Sequence, residues 1–244
     1  MAVMTTRVAS AEHVADNVIQ LRLVKPEGFT WKTGEFARVG LKIEGDEVFR
    51  AYSIGSSPAS ETVDFYIANV TGGILSPKLN QIKTGDSVLI DTEVGGMLLA
   101  DRLEAGGKDL WMFASGTGVS PFLAVLSDES ITSRFERLIL VHGVRTWNET
   151  GYVSRLVKRS PKLTVVACVT REKGAAVNER IPDALADGSL EKLAGITIEK
   201  EHSRVMLCGN PGMVKSVREA MKARGIVSPR GGKPGQLLAE NFWL

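Results

Sequence analysis

The chain has 244 residues, 43% of them hydrophobic and 24% charged, with a formal net charge of +2. That length holds one large domain or two small ones, and the near-neutral charge with no basic tail argues against nucleic-acid binding, while leaving room for a local basic patch. Only Cys168 and Cys208 occur, without CxxC spacing, and His13, His142 and His202 are scattered, which speaks against a disulfide framework, a structural zinc site or a cysteine-ligated iron–sulfur cluster.

The first residues carry no apolar signal core, and no apolar run is long enough to span a bilayer, so the expected compartment is the cytoplasm. The first hundred residues read as all-β. Ile19, Leu21 and Leu23 alternate with Gln20 and Arg22, and Val39, Leu41 and Ile43 alternate with Arg38, Gly40 and Lys42. Glu44-Gly45-Asp46-Glu47 is a hairpin turn into a strand over 48–54. Further strands follow over 63–70 and 87–91, the latter after Lys83-Thr84-Gly85-Asp86. Short, regularly punctuated strands of this kind predict a small closed antiparallel barrel.

Two stretches of that barrel are chemically unusual. In Arg50-Ala51-Tyr52-Ser53, Arg50 and Tyr52 share a strand face, offering a cation and an aromatic plane to one ligand. A flavin dinucleotide needs both, a guanidinium for its pyrophosphate and a flat surface for its ring; the alternative is a cross-strand cation–π pair on a wet face. Ser53 faces away in a regular strand and reaches the same ligand only if the chain bends near Gly55. In the second stretch, Gly72 and Gly73 precede a short helix with Ser76 as its expected N-cap and Pro77 in its first turn. This is a second candidate phosphate site, or a plain connector.

From about residue 101 the pattern becomes strand, then helix, repeated. Apolar runs at 110–114, 137–141, 163–169 and 204–208 alternate with helical patterns, the clearest at 213–224, where Val214, Val217 and Met221 share a side and Gly225 stops the helix. This predicts a parallel sheet covered on both faces. Glu104-Ala105-Gly106-Gly107 reads as the linker between the halves.

Ligands of such sheets lie beyond the carboxyl ends of the strands. There the sequence places Gly116-Thr117-Gly118, a tight turn leading into a helix with Pro121 in its first turn and suited to phosphate, though without the third glycine of the dinucleotide fingerprint. Arg145, Arg171 and Arg180 follow later strands, and arginine forks suit a terminal phosphate such as that on the ribose of NADP. Cys208 ends the last of these strands. Residues 227–235 read as a flexible Gly/Pro segment, and Glu240, Phe242 and Trp243 crowd the end.

Arg50-Ala51-Tyr52-Ser53, Gly72-Gly73-Ile74-Leu75-Ser76, Gly116-Thr117-Gly118-Val119-Ser120-Pro121, Val205-Met206-Leu207-Cys208-Gly209-Asn210-Pro211 and Glu240-Asn241-Phe242-Trp243 together resemble the bacterial-type ferredoxin/flavodoxin–NADP reductases. The resemblance runs the length of the chain, in order and spacing, and Leu244 after the tryptophan is a departure from it. It implies an N-terminal FAD-binding β-barrel over 1–100 and an NADP-binding α/β domain over 101–244 whose last segment returns to the flavin. It further implies that Arg50, Ala51, Tyr52, Ser53, Tyr66, Gly73, Ile74, Leu75, Ser76, Phe242 and Trp243 bind the cofactor, with Tyr52 on the flavin ring, Ser53 near its reactive N5 and Trp243 on the FAD adenine. Gly116, Thr117 and Gly118 would hold the NADP pyrophosphate, Arg145, Arg171 and Arg180 the 2′-phosphate. Ser53, Cys208 and Glu240 would be the catalytic group, the cysteine by the nicotinamide and Glu240 handling protons or charge. The implied partners are NADPH and an acidic ferredoxin or flavodoxin, with no metal, and no exposed apolar seam argues for more than a monomer. The competing expectations are a flavin reductase serving an oxygenase or cytochrome, and a non-catalytic flavin or nucleotide carrier.

Overall fold

A computed structural model describes residues 3–157 and 160–241, without the side chains of 155–157. The first part comprises β1 (Val3–Ala15), β2 (Val18–Val24), β3 (Phe36–Ile43), β4 (Asp46–Ser53), β5 (Thr62–Ala68), the single-turn helix α1 (Ser76–Leu79) and β6 (Ser87–Asp91). The strands form one antiparallel sheet in the order β4-β3-β6-β1-β2-β5. The ladder stops between its outer strands, and the barrel closes just past β4, where the Gly55 N–H donates to the Asp64 carbonyl of β5 at 2.7 Å. The β3–β4 turn uses positive φ at Glu44 (54°) and Gly45 (97°), the two-residue geometry that matches strand twist. Leu21, Leu23, Val39, Phe65, Ile67 and Ile90 fill the interior.

Strand β1 has no counterpart among the strands expected from sequence. Its fully buried positions are Thr6, Val8 and Ala15, too little apolar surface to show a period of two. It serves two neighbours: Val3–Arg7 pairs with β6, and the rest with β2 after a register slip between Val8 and Ser10.

The second part comprises β7 (Asp109–Ser115), α2 (Ser120–Ser127), α3 (Glu129–Thr132), β8 (Arg137–Val144), α4 (Gly151–Val157), β9 (Leu163–Val169), α5 (Ile181–Ala186), α6 (Ser189–Ala194), β10 (Ser203–Gly209), α7 (Pro211–Ala223) and β11 (Leu237–Asn241). All five strands are parallel, in the order β11-β10-β7-β8-β9. Alternate residues feed opposite faces, Leu110 and Met112 one core and Trp111 and Phe113 the other, which is why the strands read as unbroken apolar runs. The chain winds outward from β7 through β8 to β9 and then resumes on the other side with β10. The switch point is therefore the β7/β10 boundary, and ligand crevices open beyond the carboxyl ends of strands at such points.

Three sequence expectations change. The 104–107 linker is pinned: the buried Arg204 guanidinium donates to the carbonyls of Glu104 and Ala105, both at 2.7 Å. The Gly/Pro segment at 227–235 is anchored too, since Gly235 donates to the Arg102 carbonyl and bridges Leu103. And residues 237–241 are a fifth strand, whose register sets Glu240 opposite Cys208.

Gly116–Val119 forms one turn of 3-10 helix ahead of α2, so Pro121 is the second residue of α2. Gly118 is required by packing: a Cβ there would stand 2.4 Å from the Cys208 carbonyl oxygen. Gly118→Ala should therefore cost about 1–3 kcal/mol, the usual range for overpacking, visible as a lower urea midpoint at unchanged slope. An unchanged midpoint would show that the close approach to β10 is not what the glycine serves.

Candidate active site

Strand β4 ends where the chain leaves one neighbour for another. The Ile54 N–H donates to the Glu35 carbonyl and the next N–H, Gly55, to Asp64. This is the bend that Ser53 needed, and Arg50, Ala51, Tyr52 and Ser53 all line one cavity of about 440 Å³, within the roughly 300–1,000 Å³ typical of cofactor sites. Gly55 lies flat under the Tyr66 ring, where a Cβ would come within 2.7 Å of that ring. Tyr66 shares a 3.0 Å hydrogen bond with the Gln20 side chain and also lines the cavity.

The opposite wall is the loop into α1: Gly73, Ile74, Leu75 and Ser76. Ser76 is not the N-cap. It is the first residue of α1, Leu75 holds the cap position without a side-chain bond, and the Ser76 hydroxyl instead accepts the Val70 N–H at 3.1 Å. The hydroxyl is committed to holding the loop shut, a fold-back over six residues that no capping pattern reveals.

Several features fit a flavin dinucleotide. The Ser53 hydroxyl is buried with no hydrogen-bond partner among the described residues, although it lies close enough to the Cys208 thiol to act on it. A buried hydroxyl of this kind is costly unless a ligand completes it. Burial raises the Tyr52 phenol to about 12 against the opposing field of Arg50, so the ring is an uncharged flat surface at neutral pH. Arg50 is exposed, tethered through its guanidinium to the Phe49 carbonyl at 2.7 Å, and so faces the open end of the cavity.

A second cavity, about 920 Å³, opens beyond the carboxyl ends of β7, β8 and β10 and shares Ala68, Val70 and Thr117 with the first. Gly116, Thr117, Arg145 and Arg180 line it as the sequence suggests. Gly118 does not, being buried against β10, and exposed Arg171 lines neither cavity, although its N–H donates to the Arg145 carbonyl and keeps the two loops adjacent. Cys208 and Glu240 line neither cavity and stand behind the seam. Burial and the Glu240 charge push the Cys208 thiol well above its usual range, with Ser53 opposing. Burial likewise raises the Glu240 carboxyl, opposed by the Met97 N–H that donates to it at 2.9 Å. Phe242 and Trp243 lie outside the described residues.

The seam uses residues that carried no signal in the sequence. The Ser120 hydroxyl, at the start of α2, donates to the Ser53 carbonyl at 2.9 Å. Tyr152 of α4 stacks on Tyr66 with centroids 5.3 Å apart and planes 17° apart, and meets His142 edge-on. His142 is fully buried. Its Nε2 bonds the Gly116 carbonyl at 2.9 Å, Nδ1 has no partner among the described residues, and burial drives its pKa down to about 4, that bond opposing. The imidazole is thus neutral, and its Nε2–H donates to the turn that carries Thr117.

Residues 5–97 match the family model described as an oxidoreductase FAD-binding domain, and residues 112–219 the one described as an oxidoreductase NAD-binding domain. A flavodoxin/ferredoxin–NADP reductase of Escherichia coli (strain K12) is 35% identical, with 98% of each chain covered. The chain belongs to the ferredoxin/flavodoxin–NADP reductase family. A ferredoxin–NADP reductase of Pseudomonas aeruginosa is 33% identical over 98% of this chain and 97% of its own. The crystal structure of a ferredoxin NADP+ reductase from Neisseria gonorrhoeae with bound FAD and NADP has a TM-score of 0.93 at 30% identity, covering 99% of both chains.

His142 gives this reductase a defined acid sensitivity. Its folded pKa of about 4 lies below the unfolded value, so the unfolded chain binds the extra proton between the two. The associated stability is complete above the unfolded value and falls as the pH drops toward 4, by about 2 kcal/mol at pH 5. Urea melts of wild type and His142→Gln between pH 5 and 7.5 should show a shallower pH slope in the variant. Parallel slopes would mean that the imidazole is not held neutral by burial.

Proposed function

We propose that the chain moves reducing equivalents between NADP(H) and a ferredoxin or flavodoxin through a bound FAD, with FAD in the cavity of about 440 Å³ and NADP(H) in that of about 920 Å³. The observation that carries this is the shared wall: Thr117 and the Ala68–Val70 stretch border both spaces, and the unpaired Ser53 hydroxyl lies beside that junction. When bound, FAD exchanges a hydride with the nicotinamide and passes single electrons to the protein partner.

The chain's own part is orientation and exclusion of water. Arg50 and the Gly73–Ser76 loop hold the flavin pyrophosphate, Tyr52 supports the ring, and Ser53 supplies a hydrogen bond at its reactive edge. Thr117 and the turn amides hold the NADP pyrophosphate, while Arg145 and Arg180, with Arg171 on the adjoining loop, face the 2′-phosphate. Cys208 backs the junction as a neutral thiol. Glu240, raised by burial, is suited to holding a proton behind it. The setting that suits this work is the cytoplasm, where free buried thiols such as Cys168 and Cys208 stay reduced.

Visible spectra of the purified protein test this directly. It should be yellow, and NADPH added without oxygen should bleach it at lower concentration than NADH; colourless protein that takes up no flavin, or a flavin that NADPH leaves oxidised, would overturn the proposal. In rapid mixing with NADPH, Ser53→Ala should retain its flavin and lose about tenfold in the limiting reduction rate, the equivalent of one good hydrogen bond.

A further inference from the structure

Among the described residues, four charged side chains line the larger cavity: Arg145, Arg180, Glu149 and Asp183. Two are cations and two anions, an even balance for a space proposed to take a dinucleotide with an extra phosphate. The partner of Arg145 is specific. Its Nε lies 3.1 Å from the Glu149 carboxylate across the short turn Trp147–Thr150. The two side chains are unequally placed, Glu149 being 12% exposed and Arg145 48%. The carboxylate is therefore the fixed member, set in the wall near Tyr152, and the guanidinium extends from it toward the cavity mouth.

That arrangement has two opposed consequences. Holding Nε aims the remaining guanidinium nitrogens, which lowers the ordering cost of receiving a phosphate. A carboxylate on the same guanidinium also cancels part of its charge and repels a bound dianion at short range. Glutamine separates the two effects, because its side-chain oxygen still accepts from Nε while the negative charge is gone.

We propose that Glu149 is a specificity-determining residue which, by occupying Arg145, holds the preference for NADPH over NADH below what the arginines alone would give. This rests on the proposed placement of NADP in that cavity with Arg145 at the 2′-phosphate. Asp183 lies on the cavity wall but is not ion-paired to Arg145, so Glu149 is the group that tunes it.

The test is steady-state kinetics of the flavin-loaded protein at low ionic strength, with NADPH and NADH as donors and ferricyanide as acceptor. Glu149→Gln should lower KM for NADPH by about three- to tenfold and leave KM for NADH and both kcat values within twofold. The gain should shrink at high salt, since the pair is partly exposed. Equal changes for both donors, no change, or weaker NADPH binding would overturn the proposal; a purely structural glutamate gives one of those. Arg145→Gln separates this from failure of the underlying placement. If it leaves KM for NADPH unchanged, the placement fails and the proposal with it; if it raises that KM while Glu149→Gln brings no gain, the placement stands and the proposal alone is wrong. Should the glutamine variant lose its flavin, Glu149→Ala with 2′,5′-ADP inhibition of NADH oxidation reads the same charge: tighter inhibition supports the proposal, and unchanged or weaker inhibition overturns it.

Discussion

A backbone carbonyl at the end of a strand must find a donor when it is buried, and Ser53 finds its donor in the second part of the chain, in the hydroxyl of Ser120 at 2.9 Å. Much of the site follows from that bond. Ser53 ends the strand that carries Arg50 and Tyr52, and Ser120 begins the helix that follows the Thr117 turn. Satisfying one peptide group thus fixes the proposed flavin site against the proposed dinucleotide site. Neighbouring contacts leave little freedom around it: a side chain at Gly55 would run into Tyr66 and Ser120, Tyr66 stacks on Tyr152, and the Thr33 hydroxyl donates to Asp128, which also caps α3.

The ionisable groups in and behind the cavity walls share one electrostatic tendency. Burial pushes Tyr52, Cys208 and Glu240 upward and His142 downward, in each case toward the uncharged form. Charged residues collect instead at the cavity mouths, where Arg50, Arg145 and Arg180 are exposed. This separation suits a reaction in which charge must move between two rings at the centre while phosphates are gripped at the edges.

The sequence shows most where burial is one-sided or complete. Strands β2 and β3 announce themselves by alternation, β6 by a short apolar run after a turn, and β7 to β10 by unbroken apolar runs. Strand β1 is hidden because its inward residues include Thr6 and Ala15, and β11 because five residues near the end carry no period. The cavity-lining residues Arg50, Tyr52, Thr117 and Arg145 were legible as chemistry-bearing types at strand ends. The long-range partners were not: Ser120 and Tyr152 act across the seam, His142 braces the Gly116 turn, and Arg204 reaches the linker from a strand a hundred residues on. Local appearance misled at Gly118, where the need for glycine comes from β10, and at Ser76, whose hydroxyl faces back to Val70.

The central claim is that the contact between Ser120 and Ser53 sets the geometry of transfer between the two cavities. It is tested most directly by the limiting rate of flavin reduction when oxidised Ser120→Ala is mixed rapidly with saturating NADPH under argon. Losing one buried hydrogen bond at the seam should slow that rate by about tenfold while flavin content and NADPH affinity stay near wild type. A variant that reduces its flavin as fast as the wild type would contradict the account.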